Sequence, residues 1–259
     1  MKSPLAWMYR GLGCLLLAGW PALAPADEGW GGSVGASSDY VYRGLSLSNN
    51  QPSVQVDGHY QGNSDWYAGL GAASAQRGAD NYTAAALNAY AGQGWAWGGD
   101  WSGHLSLSHY DYAGADNASL YRYDELGAGL NWRHNVFLTL AASPDTSTQT
   151  YASTVWWYQQ QPYLYSYVSG SHRGPAYVAE LVLNEPLPWW QLSANAGAGY
   201  RDLQQLEGLS YRYGSAGLAW SHGPWELDAS YIGSSGVAAR VCCGSPPANR
   251  WVASTLWRF

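Results

Sequence analysis

The chain has 259 residues, with 18 acidic and 12 basic side chains and a formal net charge of −6. This acidic balance offers no basic stripe and excludes nucleic acid as a partner. The 16 Trp and 21 Tyr stand against only 2 Phe, so most aromatic side chains are the amphipathic types that prefer membrane interfaces. Residues 81–99 carry no charge, but Gly, Asn and Gln interrupt them, which excludes a membrane-spanning helix there.

The first 26 residues predict a cleaved signal peptide for export. Lys2 and Arg10 give a positive start, residues 11–20 form a short apolar stretch, and residues 24–26 (APA) are small, as a signal peptidase requires. The apolar stretch is shorter than the roughly 20 residues that a spanning helix needs. We therefore expect residues 27–259 to form the mature protein, with 10 arginines against 18 acidic residues.

The mature sequence alternates apolar and polar residues in segments of about ten residues, which is typical of transmembrane β-strands. The first segment is predicted over residues 30–43, with Tyr40 and Tyr42 on the apolar face and Asp39 and Arg43 on the polar face. The remaining segments are predicted at residues 54–60, 65–72, 82–92, 100–112, 121–133, 136–141, 177–183, 190–201, 209–220 (apolar on both faces and not oriented), 226–231 and 250–259.

The connections between these segments alternate between short and long. The short ones are residues 61–64, 93–99, 133–135, 184–188 and 221–224, and the longer ones are 44–52, 76–81, 113–120, 143–175, 202–208 and 234–249. Short turns are periplasmic in outer-membrane barrels, so both termini are expected in the periplasm and the long loops outside. This gives an antiparallel up-and-down barrel of about twelve strands. Residues 143–175 are expected to form an external loop, and an extra hairpin there would raise the count to fourteen.

The closing strand carries the clearest of these patterns. Trp251, Ala253, Thr255, Trp257 and Phe259 share one face, where aromatics at the strand end would lie at a membrane interface. A soluble domain would leave them exposed at a fraying terminus. The ending is similar to the signal, here Trp257 and Phe259, that the barrel-assembly machinery reads in bacterial outer-membrane barrels. We expect the protein to pass through periplasmic chaperones into a Gram-negative outer membrane and to contact its lipid and lipopolysaccharide.

The first predicted hairpin shows a family resemblance. Residues 38–46 (SDYVYRGLS) and 51–55 (QPSVQ) resemble the opening of the TorF-type porins, proteobacterial outer-membrane proteins long described as a family of unknown function. Residues 67–69, 143–145 and 180–189 fit the same family, whereas the Trp-rich residues 151–167 depart from it. The resemblance implies an outer-membrane barrel with porin-like transport, and it does not specify the solute.

The polar faces of the predicted strands are expected to line the inside of the barrel. The pore-lining candidates are Asp39, Arg43, Gln55, Asp57, His59, Glu125, Glu180, Asn195, Arg201, Glu226, Asp228 and Arg258. Six of them are acids and three are arginines, which favours a polar channel for small hydrophilic solutes or ions with a mild cation preference. A lumen filled by paired side chains is the alternative, because a buried charge needs a partner. Asp39 and Arg43, four residues apart, either face the solute or form a local salt bridge.

Two other functions are compatible with the sequence. An outer-membrane lipid or peptide hydrolase is not favoured, because none of the 6 histidines lies in a nucleophile or metal motif, and no cofactor is expected. A structural or adhesive barrel would act through its long loops, for which residues 156–167 offer an aromatic contact surface. The adjacent Cys242 and Cys243 predict a vicinal disulfide or a bridge to another chain, with a simple loop staple as the favoured hypothesis.

Overall fold

The computed structural model of the protein describes residues 28–77, 82–114, 122–158, 161–235 and 248–259. The predicted signal peptide and the adjacent Cys242 and Cys243 lie outside the described residues. Within the described ranges, no helix combines the length and the apolar character needed to cross a membrane.

Twelve strands form one closed antiparallel barrel. In chain order they are β1 (Gly29–Ser37), β4 (Ser53–Gln61), β5 (Trp66–Arg77), β6 (Tyr82–Trp97), β7 (Trp101–Ala113), β8 (Tyr123–Trp132), β9 (Val136–Tyr158), β10 (Gln161–Pro186), β11 (Leu192–Leu203), β12 (Leu209–His222), β13 (Trp225–Ser234) and β14 (Arg250–Arg258). Two short strands, β2 (Val41–Tyr42) and β3 (Leu45–Ser46), form a separate hairpin, and one short helix, α1 (Gln204–Glu207), follows β11. Successive barrel strands pair with each other, and β14 closes the barrel on β1. The predicted twelve-stranded up-and-down barrel is confirmed.

The two ends of the barrel differ in the length of their connections. One end, here called the short-turn end, holds the start of β1, the end of β14 and the turns at residues 62–65, 98–100, 133–135, 187–191 and 223–224. The opposite end, here called the long-loop end, holds residues 38–52, the β9–β10 hairpin, α1 and the link from β13 to β14. The short and long connections therefore alternate, and the periplasmic placement of the short-turn end stays a prediction.

The long link predicted at residues 143–175 is a continuation of β9 and β10. The two strands stay paired from the Leu183–Val136 pair to the Gln161–Tyr158 pair, with irregularities in register near Gly170 and Ala176. This hairpin extends past the barrel at the long-loop end and contributes no further strand to the closed sheet. The strand count is therefore twelve, and the alternative of fourteen is excluded.

Side chains alternate between the two faces of the sheet along each barrel strand. On β13, Trp225 and Leu227 are exposed on the outer face, whereas Glu226 and Asp228 are buried on the inner face. The closing strand follows the predicted pattern, since Trp251 is exposed and its neighbour Val252 is buried. Such a continuous apolar outer surface would drive aggregation in water and is the normal surface of a barrel in hydrocarbon.

Tryptophan side chains form a belt around the outside of the short-turn end. The exposed members of this tryptophan belt are Trp30, Trp66, Trp95, Trp97, Trp101, Trp132, Trp189, Trp190, Trp225 and Trp257. The outer residues at the opposite end include the exposed Tyr177, Tyr200 and Tyr231. Amphipathic aromatics at both ends of an apolar band are typical of the two membrane–water interfaces.

The first strand is shorter than predicted. β1 ends at Ser37 instead of Arg43, and residues 38–52, here called the inner loop, fold into the barrel instead of forming an external loop. Tyr40 and Tyr42, which we predicted on the lipid-facing side, are half-buried and buried in the interior. The prediction was wrong because residues 38–43 continue the alternation of β1, and alternation alone does not distinguish lipid from the inside of a barrel.

Candidate functional site

The inner loop reverses direction at Arg43 and Gly44, which join β2 to β3. These two residues have φ angles of 50° and 76°, the left-handed pair that a two-residue type I′ hairpin requires. Glycine is needed at the second position for a further reason, because a Cβ on Gly44 would lie 2.5 Å from the Cβ of Tyr213. The tip of the hairpin is therefore packed directly against β12, and Arg43 is the side chain at this tip.

The inner loop crosses the barrel from one wall to the opposite one. Near its start, Asp39 Oδ2 lies 3.8 Å from Arg250 Nε on β14. At its tip, Arg43 forms an ion pair with Glu125 on β8. In the closed order of twelve strands, β14 and β8 are six positions apart in either direction. The two contacts therefore anchor the loop across the full width of the lumen.

Apolar side chains of the inner loop fill the space on both of its sides. Val41 and Leu45 belong to a buried cluster with Leu203, Ile232 and residues of β10, β12 and β14. On the other side, Tyr40 packs against a cluster from β5, β6 and β7. At this level, the interior of the barrel is therefore packed like a small protein core.

The ion pair at the hairpin tip is bidentate and buried. Arg43 Nη1 and Nη2 donate to Glu125 Oε2 and Oε1 at 2.6 and 2.8 Å, and the two side chains are 1% and 4% exposed. Burial by itself would lower the pKa of the Arg43 guanidinium, but the adjacent Glu125 carboxylate raises that pKa well above its ordinary value. Arg43 therefore stays charged, and removing either partner would leave a buried charge without compensation.

Asp39 organises the loop itself and does not bind Arg43. Its Oδ1 accepts hydrogen bonds from the hydroxyls of Ser46 and Ser48 at 2.6 and 2.9 Å. Ser48 Oγ in turn accepts from the backbone N–H of Tyr40 at 2.8 Å. The two sequence candidates, four residues apart, thus have different partners, and the local Asp39–Arg43 salt bridge considered from the sequence is not present.

Tyrosines surround the tip of the inner loop. The Tyr42 hydroxyl donates to the Tyr110 hydroxyl at 3.2 Å, and Tyr110 stacks on Tyr123 with ring centroids 4.6 Å apart. The Tyr211 hydroxyl donates to the backbone carbonyl of Arg43 at 3.1 Å. The sequence did not indicate that Tyr42, Tyr123 and Tyr211 lie inside the barrel, because large aromatic rings on an inner face do not fit a pattern of polar residues facing inward.

A second polar group lies on the inner face of β4, about midway along the strand. His59 Nδ1 is 2.8 Å from Asp57 Oδ1, and the Tyr90 hydroxyl donates to Asp57 Oδ2 at 2.7 Å. Gln55 Nε2 donates to Ser37 Oγ at 2.9 Å. The Asp57 side chain keeps 26% of its surface exposed. A solute inside the barrel therefore has better access to Asp57 than to the buried Glu125.

A third group occupies the inner face near the short-turn end. Asn195 Nδ2 and Ser230 Oγ both donate to the Asp228 carboxylate at 2.9 Å. One residue from the start of β13, Glu226 Oε2 accepts from Arg258 Nη2 at 2.8 Å. These contacts join β11 to β13, and β13 to β14, on the inside of the barrel wall.

Glu180 and Arg201 complete the set of predicted inward residues. Glu180 Oε1 accepts from the Tyr213 hydroxyl at 2.5 Å, and its Oε2 has no hydrogen-bond partner among the described residues. Arg201 stands opposite Tyr211 in the register of β11 and β12. Within the described ranges, Arg201 Nε likewise has no hydrogen-bond partner. Both groups therefore have unused capacity for hydrogen bonding.

All twelve candidates thus lie on the inner side, and their role in lining a pore stays a prediction. Among these inward candidates, Arg43 pairs with Glu125 and Arg258 with Glu226, and Asp39 lies near Arg250. Among the inward candidates, the carboxyl groups without an arginine partner in the described part of the chain are Asp57, Glu180 and Asp228. No group of three or more metal-ligating side chains was found among the described residues.

Solved outer-membrane barrels share this architecture. The KdgM porin in complex with disordered oligogalacturonate aligns with a TM-score of 0.50 and 7% identity, over 89% of this chain and 99% of that one. A second KdgM porin structure gives a TM-score of 0.50 and 7% identity over 88% and 99%. OprD of Pseudomonas aeruginosa gives 0.39 and 13% over 90% and 66%. At these identities, the KdgM likeness establishes the fold alone.

The sequence itself identifies a family. No protein of curated function matches the chain. A family model described as "Bacterial protein of unknown function (Gcw_chp)" matches residues 25–254, a span that includes the inner loop and nearly the whole barrel. The chain therefore belongs to the Gcw_chp family of bacterial proteins.

Proposed function

We propose that the protein is a porin-like channel of a Gram-negative outer membrane, through which small hydrophilic solutes or ions pass passively. The observation that carries the proposal is the closed barrel, whose outer face is apolar and whose inner face carries charged and hydrogen-bonding side chains. The resemblance of residues 38–55 to the TorF-type porins supports it. The inner loop is the narrowest point of the pathway, and the short-turn end faces the periplasm.

The balance of charges on the inner face favours small cations or neutral solutes. Among the inward candidates, Asp57, Glu180 and Asp228 have no arginine partner in the described part of the chain, and Arg201 has no carboxylate partner there. Carboxylates that face a pathway attract cations and repel anions. The KdgM porin was solved with oligogalacturonate, a sugar chain with a carboxylate on every unit. Such a polyanion would meet like charges here, so we do not extend that ligand to this protein.

A hydrolase is the rival proposal, and the contacts of the inner face do not favour it. The His59–Asp57 pair is the arrangement that most resembles a catalytic base with its orienting carboxylate. A Cβ on Gly31 would lie 2.9 Å from His59 Nε2, so the ring lies against the backbone of β1. No hydroxyl nucleophile donates to His59 in the described contacts. The pair serves better as a polar, accessible part of the wall.

The test is conductance of the refolded protein in a planar lipid bilayer. Stepwise currents are expected, and a salt gradient should give a reversal potential that favours K⁺ over Cl⁻. Asp57→Asn should shift this potential toward zero, because Asp57 is the most accessible inward candidate among the carboxylates without an arginine partner. Asp100→Asn is the matched control, since Asp100 lies in a short turn with its side chain 54% exposed.

Folding must be verified for each sample by the shift in gel mobility that intact barrels show before heating. A folded protein that gives no steps, together with a folded variant lacking residues 40–47 that also gives none, would contradict the channel proposal. Equal shifts for Asp57→Asn and Asp100→Asn would contradict the proposed cation preference alone.

A further inference from the structure

The surroundings of the Arg43 guanidinium come from two different parts of the chain. The barrel wall supplies Glu125, which binds the guanidinium, and Tyr123 and Tyr110, which lie beside Glu125 on the inner faces of β8 and β7. These three residues are here called the cation cage, and the inner loop supplies the arginine that binds Glu125. The carboxylate binds the guanidinium through both oxygens. The wall therefore presents the elements of a receptor for a flat cation.

These elements match the chemistry of guanidinium recognition. A planar carboxylate fork pairs with the parallel N–H groups of a guanidinium, and aromatic rings beside it favour a cation over a neutral group. The guanidinium carbon of Arg43 lies 4.7 Å from the centroid of the Tyr42 ring, which the loop brings with it. The buried Glu180 accepts a hydrogen bond from Tyr213, whose Cβ faces Gly44 at the hairpin tip, and its Oε2 is an unused acceptor among the described residues.

The hairpin that delivers Arg43 is not part of the barrel sheet. β2 pairs with β3, and both are separate from the twelve-stranded sheet. The backbone contacts of this region with the rest of the chain include Ala248 N–H to the Gly44 carbonyl and Gln76 N–H to the Leu47 carbonyl, both at 2.9 Å. A hairpin held mainly by side chains and a few such bonds can leave its position as a unit while the barrel stays closed.

We propose that the cation cage is a binding site for guanidinium-bearing solutes, which the chain itself occupies with Arg43 and thereby holds the inner loop across the lumen. A solute with a free guanidinium competes with Arg43 for Glu125, and the hairpin moves aside when the solute takes its place. The proposal rests on the channel function and specifies its preferred solute class and its gate.

The experiment measures channel opening in planar bilayers with methylguanidinium as the probe. Methylurea is the matched control, because it has a similar shape and no charge. For the wild-type protein, methylguanidinium should raise the frequency of opening several-fold and methylurea should not. Arg43→Gln should open several-fold more often without any addition, because the loop has lost its anchor, and methylguanidinium should then give no further increase. Glu125→Gln, which removes the charge that both Arg43 and the solute bind, should also open more often and should not respond to methylguanidinium.

A second readout follows the loop without relying on current. Ser46 is fully buried in the inner loop, and Ser46→Cys in a Cys242→Ser/Cys243→Ser background reports its release by reaction with a membrane-impermeant maleimide. Methylguanidinium should accelerate this labelling several-fold, and methylurea should leave it unchanged.

The outcomes separate the inference from the channel function. If the variant lacking residues 40–47 conducts, but methylguanidinium alters neither the opening nor the labelling of the wild-type loop, the cation cage is not a solute site and the channel stands. An equal response to methylurea has the same meaning. If neither the wild type nor the loop-deleted variant conducts, both proposals are wrong.

Discussion

The ion pair at the tip of the inner loop gives the sharpest test of how the loop is held. Arg43→Met removes one partner of a pair whose side chains are 1% and 4% exposed. Removing one partner of a buried pair typically costs about 3–5 kcal/mol, because the remaining charge stays desolvated and unpaired. Replacing both partners by apolar residues of similar size is often nearly neutral. We therefore expect Arg43→Met to lower the free energy of unfolding by about 3–5 kcal/mol, and Arg43→Met/Glu125→Leu to recover most of it.

The assay is equilibrium unfolding in urea of the protein refolded into lipid vesicles, followed by tryptophan fluorescence and gel mobility. Arg133→Met is the matched control, because the Arg133–Asp100 pair has side chains that are 60% and 54% exposed. Exposed pairs contribute about 0–1 kcal/mol. If the loop leaves the lumen in Arg43→Met, the cost is capped at the free energy that docks the loop, and protease should then cleave within residues 38–52. A shift no larger than that of Arg133→Met, without new cleavage, would refute the reasoning.

Three further predictions concern packing and membrane placement. Gly44→Ala should destabilise the protein more than Gly208→Ala in the same urea assay. Both glycines have a positive φ, but a Cβ on Gly44 would lie 2.5 Å from the Cβ of Tyr213, whereas a Cβ on Gly208 would have nothing within 4 Å. Equal effects would show that the tip is not packed against β12. Gly199→Ala should lower the free energy of unfolding more than Gly58→Ala. A Cβ on Gly199 would collide with the Tyr213 ring, whereas a Cβ on Gly58 would have nothing within 4 Å. Similar losses of stability for the two variants would contradict this packing. Lipids brominated near the headgroup should quench the fluorescence of the tryptophan belt more than lipids brominated at the chain end, and the reverse order would place the belt within the hydrocarbon.

Much of the fold could be predicted from the sequence because lipid and lumen impose opposite preferences on successive residues of a strand. On β13 and β14 this contrast is clear, and the predicted faces of Asp228, Trp251 and Trp257 match the structure. The contrast is lost where the inner loop packs against the wall. The inner face of β12 carries the buried Tyr211 and Tyr213, so residues 209–220 are apolar on both faces and could not be oriented.

The site itself was only partly predictable, for a related reason. Single residues such as Glu125 and Arg43 were recognised as inward because each is a charge among apolar neighbours. Their pairing spans 82 positions of the chain and depends on the loop turning into the barrel. The signal for that turn was the Arg43-Gly44 pair, since a glycine at the second position suits a type I′ hairpin. The turn was not recognised because residues 38–43 continue the alternation of polar and apolar residues seen in β1.

The charges of the inner face separate two properties of the proposed channel. Near the long-loop end, Glu125 and Asp39 are matched by arginines, so these charges hold the loop and contribute little net field. Asp57, midway along β4, and Asp228, near the short-turn end, lack such partners and share no contacts with the hairpin tip. Substitutions more than about 7–10 Å apart without common partners usually act additively. Changes at Arg43 should therefore alter how often the channel opens, changes at Asp57 should alter which ions pass once it is open, and a double variant should show both effects unaltered.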